Sequence, residues 1–337
     1  MDRADEFSII ARYFRPLAAG HDGALGLLDD AALVPGDPAR TLVVTVDTLI
    51  EGVHFRAGDP PETLAGKLIA VNLSDLAAMA ATPVAYLLAI SLPSAWNEPA
   101  LLRWLDDFAS GLAREQARFG IHLIGGDTVA TPGPLVLTLT AFGHVARGCE
   151  LRRSRARTGD DVYVSGTIGD GHLGLRVLDG RLGGLTEDDR VYLTTRYRQP
   201  EPRVGLGTAL AGLAHAAADV SDGLVADLSH ICRASGVAAR IDAALVPLSP
   251  AARRVCAAGR VTLSALITGG DDYELLATAP PAAAAALSRA SARAGVALTP
   301  IGRIIEAADT EAGAPLVTVL DVGGQPLDVA WGGYRHL

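Results

Sequence analysis

Lysine is almost missing from this 337-residue chain: Lys67 is the only one among 29 basic residues. Any motif that needs lysine can therefore exist only around position 67. The Walker A loop, G-x-x-x-x-G-K-[ST], is excluded because Gly66-Lys67 runs into Leu68. A protein-kinase pattern, with its strand lysine and H-R-D loop, is absent as well. Cysteine is scarce. Cys149, Cys232 and Cys256 form no C-x-x-C pair, which rules out a disulfide framework or a cysteine-rich zinc site and suits the reducing cytosol. Positive charge is also in deficit: a net −9 argues against a nucleic-acid partner, whose phosphates call for a basic face. Long apolar runs are missing too. The longest, residues 76–92, is broken by Thr82-Pro83 and is shorter than a bilayer span. The first residues are acidic where a signal peptide needs basic ones. We expect a cytoplasmic protein with no nucleic-acid or membrane partner.

What is present describes a folded chain. Hydrophobic residues make up 49% and charged residues 20%, so the protein is globular, and its length suits two domains better than one core. Phe7, Ile10, Phe14 and Leu17 have helical spacing, and so do Leu101, Leu105, Phe108 and Leu112 within a helix expected over 98–118. A further helix is expected over 62–81. Strands are expected over 41–47, 84–92, 121–127 and 135–145. The arginine-rich stretch 147–161 marks the boundary between a first domain, 1–150, and a second, 151–337. The second half is expected to hold strands at 161–168, 263–268, 297–304 and 316–322. Its expected helices lie near 172–179, 203–214, 222–235 and 280–294. The elements are mixed without regular βαβα alternation, which favours α+β.

Carboxylates recur beside the predicted strand ends and helix starts: Asp29-Asp30, Asp47, Asp75, Asp127, Asp219 with Asp222, and Asp271-Asp272. Asp before a helix is most often an N-cap, and this accounts for Asp75 and Asp222, read as opening helices. It accounts poorly for Asp47 and Asp127, each read as terminating an apolar strand and each followed by Thr. Converging carboxylates repel unless a cation sits between them. Hard oxygen ligands select Mg²⁺ or Ca²⁺ over zinc, and an Asp-lined Mg²⁺ site usually signals a phosphate-bearing substrate. Divalent ions would then let an acidic protein bind a polyanionic nucleotide. "GDGHLG" (169–174) matches G-x-G-x-x-G, but the following segment is not a Rossmann unit. We read it as a loop–helix junction offering anion contacts at the helix N-terminus. "NLSDLAAM" before "LIGGD" is echoed by "DVSDGLVADL" before "ITGGD", a weak hint of two similar half-sites.

Together, "LLDDAAL", "VTVDTLIEGVHF", "KLIAVNLSDLAAMAATPVAYLLAISLP", "LIGGDT", "VSGTIGDGHLGL", "DVSDGLVADLSHI", "TGGDDYELL" and "WGGYRH" closely resemble the thiamine-monophosphate kinase family. That family lies in the aminoimidazole ribonucleotide synthetase-like superfamily. The likeness runs nearly end to end and in order. It implies transfer of the ATP γ-phosphoryl group onto thiamine monophosphate, giving thiamine diphosphate. It also implies a homodimer, in which the N-terminal mixed-sheet domain pairs its sheet with its mate's, and a C-terminal α/β sandwich domain that completes the ATP and substrate sites. By resemblance, several Mg²⁺ ions are held by Asp30, Thr45, Asp47, Asp75, Asp127, Asp219 and Asp222. Val46, where threonine is common, adds a backbone carbonyl only. Gly126, Asp127, Arg153 and Ser221 meet ATP. His54, Asp271 and Trp331 meet thiamine monophosphate, with Trp331 offering a π face to the thiazolium. No general base is implied, because the acceptor phosphate is already ionised; Asp47, Asp75 and Asp127 act through Mg²⁺ by charge neutralisation. The alternatives are another ATP-using member of the superfamily, a Mg²⁺-dependent phosphohydrolase, and a non-catalytic nucleotide-binding module.

Overall fold

The computed structural model describes residues 6–28, 31–34, 36–309 and 315–329. The chain divides into two compact units, Met1–Leu76 with Thr82–Gly148, and Ala77–Ala81 with Cys149–Leu337. The architecture is α+β, with a mixed sheet in each unit.

In the first unit, α1 (Glu6–Ile9) and α2 (Arg15–Ala18) flank a π-helical turn at Ile10–Phe14. Four strands follow: β1 (Arg40–Ile50), β2 (Thr82–Pro93), β3 (His122–Thr131) and β4 (Val136–Ala146). They lie in the order β1-β4-β2-β3. β4 is antiparallel to both neighbours, and β2 runs parallel to β3. Two longer helices follow, α3 (Pro61–Ala78), which lies in this unit up to Leu76, and α4 (Glu98–Phe119). α3 is apolar nearly all round, and Leu68, Ile69, Leu73 and Leu76 are fully buried, as befits a core helix. α4 shows the expected stripe of Leu101, Leu105, Phe108 and Leu112. Gly111 lets the two helices touch, since a Cβ there would fall 2.5 Å from the Glu62 carbonyl. Asn97 caps α4 by accepting from the Ala100 N–H.

The second unit contains β5 (Asp161–Ser165), β6 (Ala216–Val220), β7 (Val237–Asp242), β8 (Glu274–Ala279), β9 (Leu298–Glu306) and β10 (Val317–Leu320). Their order is β10-β7-β9-β5-β8-β6, antiparallel except for β10 with β7. The helices are α5 (Asp170–Leu178), α6 (Glu187–Arg198), α7 (Val204–Leu210), α8 (Leu224–Ser235), α9 (Pro250–Ala257), α10 (Leu263–Ile267) and α11 (Ala284–Ala294). Val164, Val220, Leu228, Ile231, Leu276 and Ile301 sit in one buried cluster between sheet and helix.

Several expectations need correcting. The strand expected over 263–268 is the short helix α10, opened by Thr262, whose hydroxyl accepts from the Ala265 N–H. Alternating Val261, Leu263, Ala265 and Ile267 imitates a strand, but a turn and a half of buried helix also hides such residues. Asp47 and Asp127 do not end their strands, since β1 continues to Ile50 and β3 to Thr131. Asp75 does not open a helix either; it lies in the last turn of α3. Nor does Asp222 cap α8, whose N-cap position is Gly223.

Candidate active site

In the first unit, β1 alternates strictly. Leu42, Val44 and Val46 face solvent, while Thr45 and Asp47 take the opposite, partly buried side. Thr45 Oγ1 donates to Asp75 Oδ2 at 2.6 Å, tying β1 to α3. Asp47 feels both burial and the Asp75 charge, and its carboxyl is pushed from the ordinary 3.8 to about 6. Two acids forced together with a hydroxyl beside them form an all-oxygen donor set of the kind that Mg²⁺ relieves. The residues present therefore fit a hard divalent cation.

Gly126 and Asp127 lie on β3, with Gly126 paired to Leu88 and Asp127 to Ala89 of β2. A Cβ at position 126 would sit 1.9 Å from the Leu88 carbonyl, so only glycine fits. Both residues line a cavity of about 760 Å³, together with Phe14, Leu27, Ala32 and Thr128. His54 sits in the turn after β1. Its Nδ1 accepts from the Ile50 N–H at 3.1 Å, and its own N–H donates to the Ile50 carbonyl at 2.9 Å. A neutral ring so held carries its proton on Nε2. Beneath it, the buried Lys67 ammonium donates to the His54 carbonyl at 3.4 Å. The single lysine thus supports a turn 13 residues before it.

In the second unit, Asp219 is buried on β6, paired with Leu275 of β8. Ser221, Asp222 and Asp271 come together in one turn cluster, because the Asp271 N–H donates to the Ser221 carbonyl at 2.9 Å. Asp271 adopts φ +69°, the left-handed region that Asp tolerates better than most residues. Asp222, Asp227 and His230 bring ligand atoms within 4.8 Å of one another. Arg153, in a short 3-10 turn at Arg153–Arg155, acts electrostatically on Asp227 and His230. Asp30 and Trp331 fall outside the described residues. The Asp75–Asp127 and Asp222–Asp271 echo is not one of structure: the first pair lies in a helix and a strand, the second in turns.

The glycine-rich stretch is the expected loop–helix junction, with α5 starting at Asp170, but its terminal N–H groups are already engaged. The N–H groups of Gly169 and Gly171, at the start of α5, donate to the Asp272 carboxylate at 2.7 and 3.1 Å. The acceptor at this helix terminus is therefore the protein's own side chain. Asp272 is fully enclosed, and burial raises its carboxyl well above the usual range against the pull of those two amides.

Sequence reasoning passed over Asp227 and Glu274. A detectable signal existed for Asp227, an acid one turn into a helix that follows a Ser-Asp-Gly turn, where it can reach back to N–H groups ahead of the helix.

Comparison with known proteins sets the class first. Family models for AIR synthase related proteins match in both parts, the N-terminal domain over residues 28–145 and the C-terminal domain over 157–314. The thiamine-monophosphate kinase of Caulobacter vibrioides is 46% identical over 307 residues, covering 89% of this chain and 84% of that one. The crystal structure of the thiamine-monophosphate kinase from Stenotrophomonas maltophilia K279a superposes with TM-score 0.82 at 42% identity, over 97% of this chain and 99% of that one. AaThiL, solved in complex with AMPPCP and TMP, matches with TM-score 0.75 at 29% identity, over 94% of this chain and 97% of that one. The chain belongs to the thiamine-monophosphate kinase family.

Proposed function

We infer that this protein is a phosphotransferase that moves the γ-phosphoryl group of ATP onto the phosphate of thiamine monophosphate, yielding thiamine diphosphate. The observation that carries the reading is its likeness, over nearly its whole length, to a kinase solved with an ATP analogue and TMP. The Thr45–Asp47–Asp75 group adds independent support, because its mutual repulsion calls for a cation.

In this reading Asp30, Thr45, the Val46 carbonyl, Asp47, Asp75, Asp127, Asp219 and Asp222 hold Mg²⁺. When bound, the cation supplies charge neutralisation at the phosphoryl oxygens. The chain's own groups position the reactants. Gly126 and Ser221 approach the nucleotide, and Arg153 forks onto phosphate oxygens. His54, with Nδ1 already engaged by Ile50, presents Nε2–H to the substrate, and Asp271 and Trp331 complete the thiamine contacts. The attacking oxygen belongs to an ionised phosphate, so in-line placement replaces base catalysis.

Incubation with ATP, Mg²⁺ and thiamine monophosphate is expected to yield thiamine diphosphate, with ADP release that depends on thiamine monophosphate. ADP release without that acceptor would identify a hydrolase. No turnover at all would identify a binding module.

Domain 1–150 is assigned to metal and nucleotide binding and to dimerisation; domain 151–337 is assigned to the remaining ATP and substrate contacts. A homodimer is supported by the solvent face of β1. This edge strand exposes Leu42 (44%), Val44 (52%) and Val46 (58%) in a row, an apolar stripe of the kind that a second sheet covers. Val44→Glu should convert the dimer to monomer in sedimentation velocity, and an unchanged mass would remove the stripe from the interface. An exposed free Cys149 accords with a cytoplasmic setting. Among the described residues no helix is long and apolar enough to cross a membrane.

A further inference from the structure

We propose that Asp227 is a positioning residue for the nucleotide end of the site, holding the Ser221–Asp222 turn in its working shape from beneath. The inference rests on the reading above, in which Ser221 meets ATP and Asp222 holds Mg²⁺.

Asp227 lies in the first turn of α8 and is 2% exposed. A single oxygen, Oδ2, accepts from the N–H of Ser221 at 3.0 Å and from the N–H of Asp222 at 3.1 Å. The same turn is held from its other side. The Ser221 carbonyl accepts from the Asp271 N–H at 2.9 Å, and the Val220 carbonyl accepts from the Tyr273 N–H at 2.8 Å. The Ser221 residue is thus fixed at both its N–H and its C=O, by groups from α8 and from the segment before β8.

Space is as tight as the hydrogen bonding. A Cβ at Gly270 would lie 2.3 Å from the Ser221 carbonyl oxygen, and Gly223 has φ +117° with the Thr268 backbone 2.8 Å from its missing Cβ. The turn is packed closely against residues 268–270 on this side, and on the other Asp227 ties it to α8.

Capping alone does not explain an aspartate here. A serine or threonine N-cap, or the peptide amides left to water, would satisfy a helix start at lower cost than a carboxylate enclosed beside Asp222. Reaching two successive N–H groups ahead of the helix sets the orientation of the residues that carry them. Those residues are the two whose side chains the reading sends to ATP and Mg²⁺.

The test compares Asp227→Leu, which removes the acceptor, with Asp227→Asn, whose amide oxygen can accept the same two N–H bonds. Affinity for Mg²⁺·AMPPCP is measured by calorimetry, and KM is measured for each substrate. Asp227→Leu should weaken nucleotide affinity and raise KM for ATP by about 10–100-fold, the range seen when a group orienting a ligand is lost. KM for thiamine monophosphate should stay within about twofold, because His54 and Trp331 are untouched. Asp227→Asn should restore nucleotide affinity to within about threefold of wild type, since both acceptor bonds survive. If the leucine variant does not fold, Asp227→Ser is measured in its place, its hydroxyl being too short for both amides. A folded Leu or Ser variant with wild-type nucleotide affinity overturns the proposal, as does an Asn variant no better than Leu. Asp222→Asn separates the two levels. If it leaves Mg²⁺·AMPPCP affinity intact, the placement of the nucleotide end is wrong; if it weakens binding while Asp227→Leu does not, only the role given to Asp227 fails.

Discussion

Asp47→Asn is expected to lower turnover by more than about 100-fold and, in chelator, to make the folded chain more stable. The two effects share one cause. Burial and the neighbouring Asp75 charge lift the Asp47 carboxyl to about 6 in the folded chain, while an unfolded aspartate titrates near its ordinary value. Below pH 4 the group is protonated in both states and has no effect on folding. Between pH 4 and 6 the folded chain keeps a proton that the unfolded chain has lost, so stability falls as pH rises through that window. Above pH 6 the penalty is constant, on the order of 3 kcal/mol. Asparagine removes it. Urea unfolding in EDTA should therefore show the variant ahead of wild type at pH 8 and level with it at pH 4. Mg²⁺ should stabilise wild type more than the variant, since only the former offers it both charges. Equal stability at pH 8, or undiminished turnover, would remove Asp47 from a repelling cation-binding pair. The loss of rate is the larger effect, because the proposed function makes Asp47 a metal ligand, and even an outer partner of such a ligand costs about 10–100-fold.

Glu274→Ala is expected to cost about 3–5 kcal/mol of folding stability. Glu274 begins β8 and is fully buried. Arg203 Nε donates to its Oε2 at 2.6 Å and Arg196 Nη2 to its Oε1 at 3.0 Å, with a further bond from Arg203 Nη2. Ser165 Oγ donates to Oε2 at 2.6 Å and accepts from the Leu275 N–H at 2.8 Å, joining β5 to β8. Gly166, at φ +55°, leaves room for the carboxylate, which would lie 2.2 Å from a Cβ there. Removing the acid strands two guanidiniums with little access to water, and this costs far more than the ion pair contributes over a hydrophobic replacement. Denaturant unfolding of the variant would read the loss directly. A change below about 1 kcal/mol would mean that the arginines reach solvent and that the network is marginal. Arg196 also donates to the Asp272 carbonyl at 3.1 Å, so the damage should extend to the turn bearing Asp271.

The sequence made the first unit legible because its elements are long and periodic. α4 declares its buried stripe at 3–4 spacing and its cap at Asn97, and the four strands were located to within a few residues at most of their ends. The second unit was harder. β6 reads Ala216-Ala-Ala-Asp-Val220, a composition that favours helix, and only its full burial between β8 and α8 makes it a strand. α10 was mistaken for a strand because five residues are too few to show a helical period. The acids at the site were visible as residue types, and the family motif supplied their roles. Their mechanical setting was not visible. That Asp47 lies within a strand, that Asp75 faces it from the far end of α3, and that Asp227 reaches back under a turn are consequences of pairing between distant segments.

The Asp272 carboxylate lodged at the start of α5 bears on how this enzyme could be redesigned. Residues 169–174 spell a dinucleotide fingerprint, and an engineer changing nucleotide preference would be drawn to them. That seat is already taken by an internal tenant, so variation there should register in expression yield and refolding rather than in the choice between ATP and GTP.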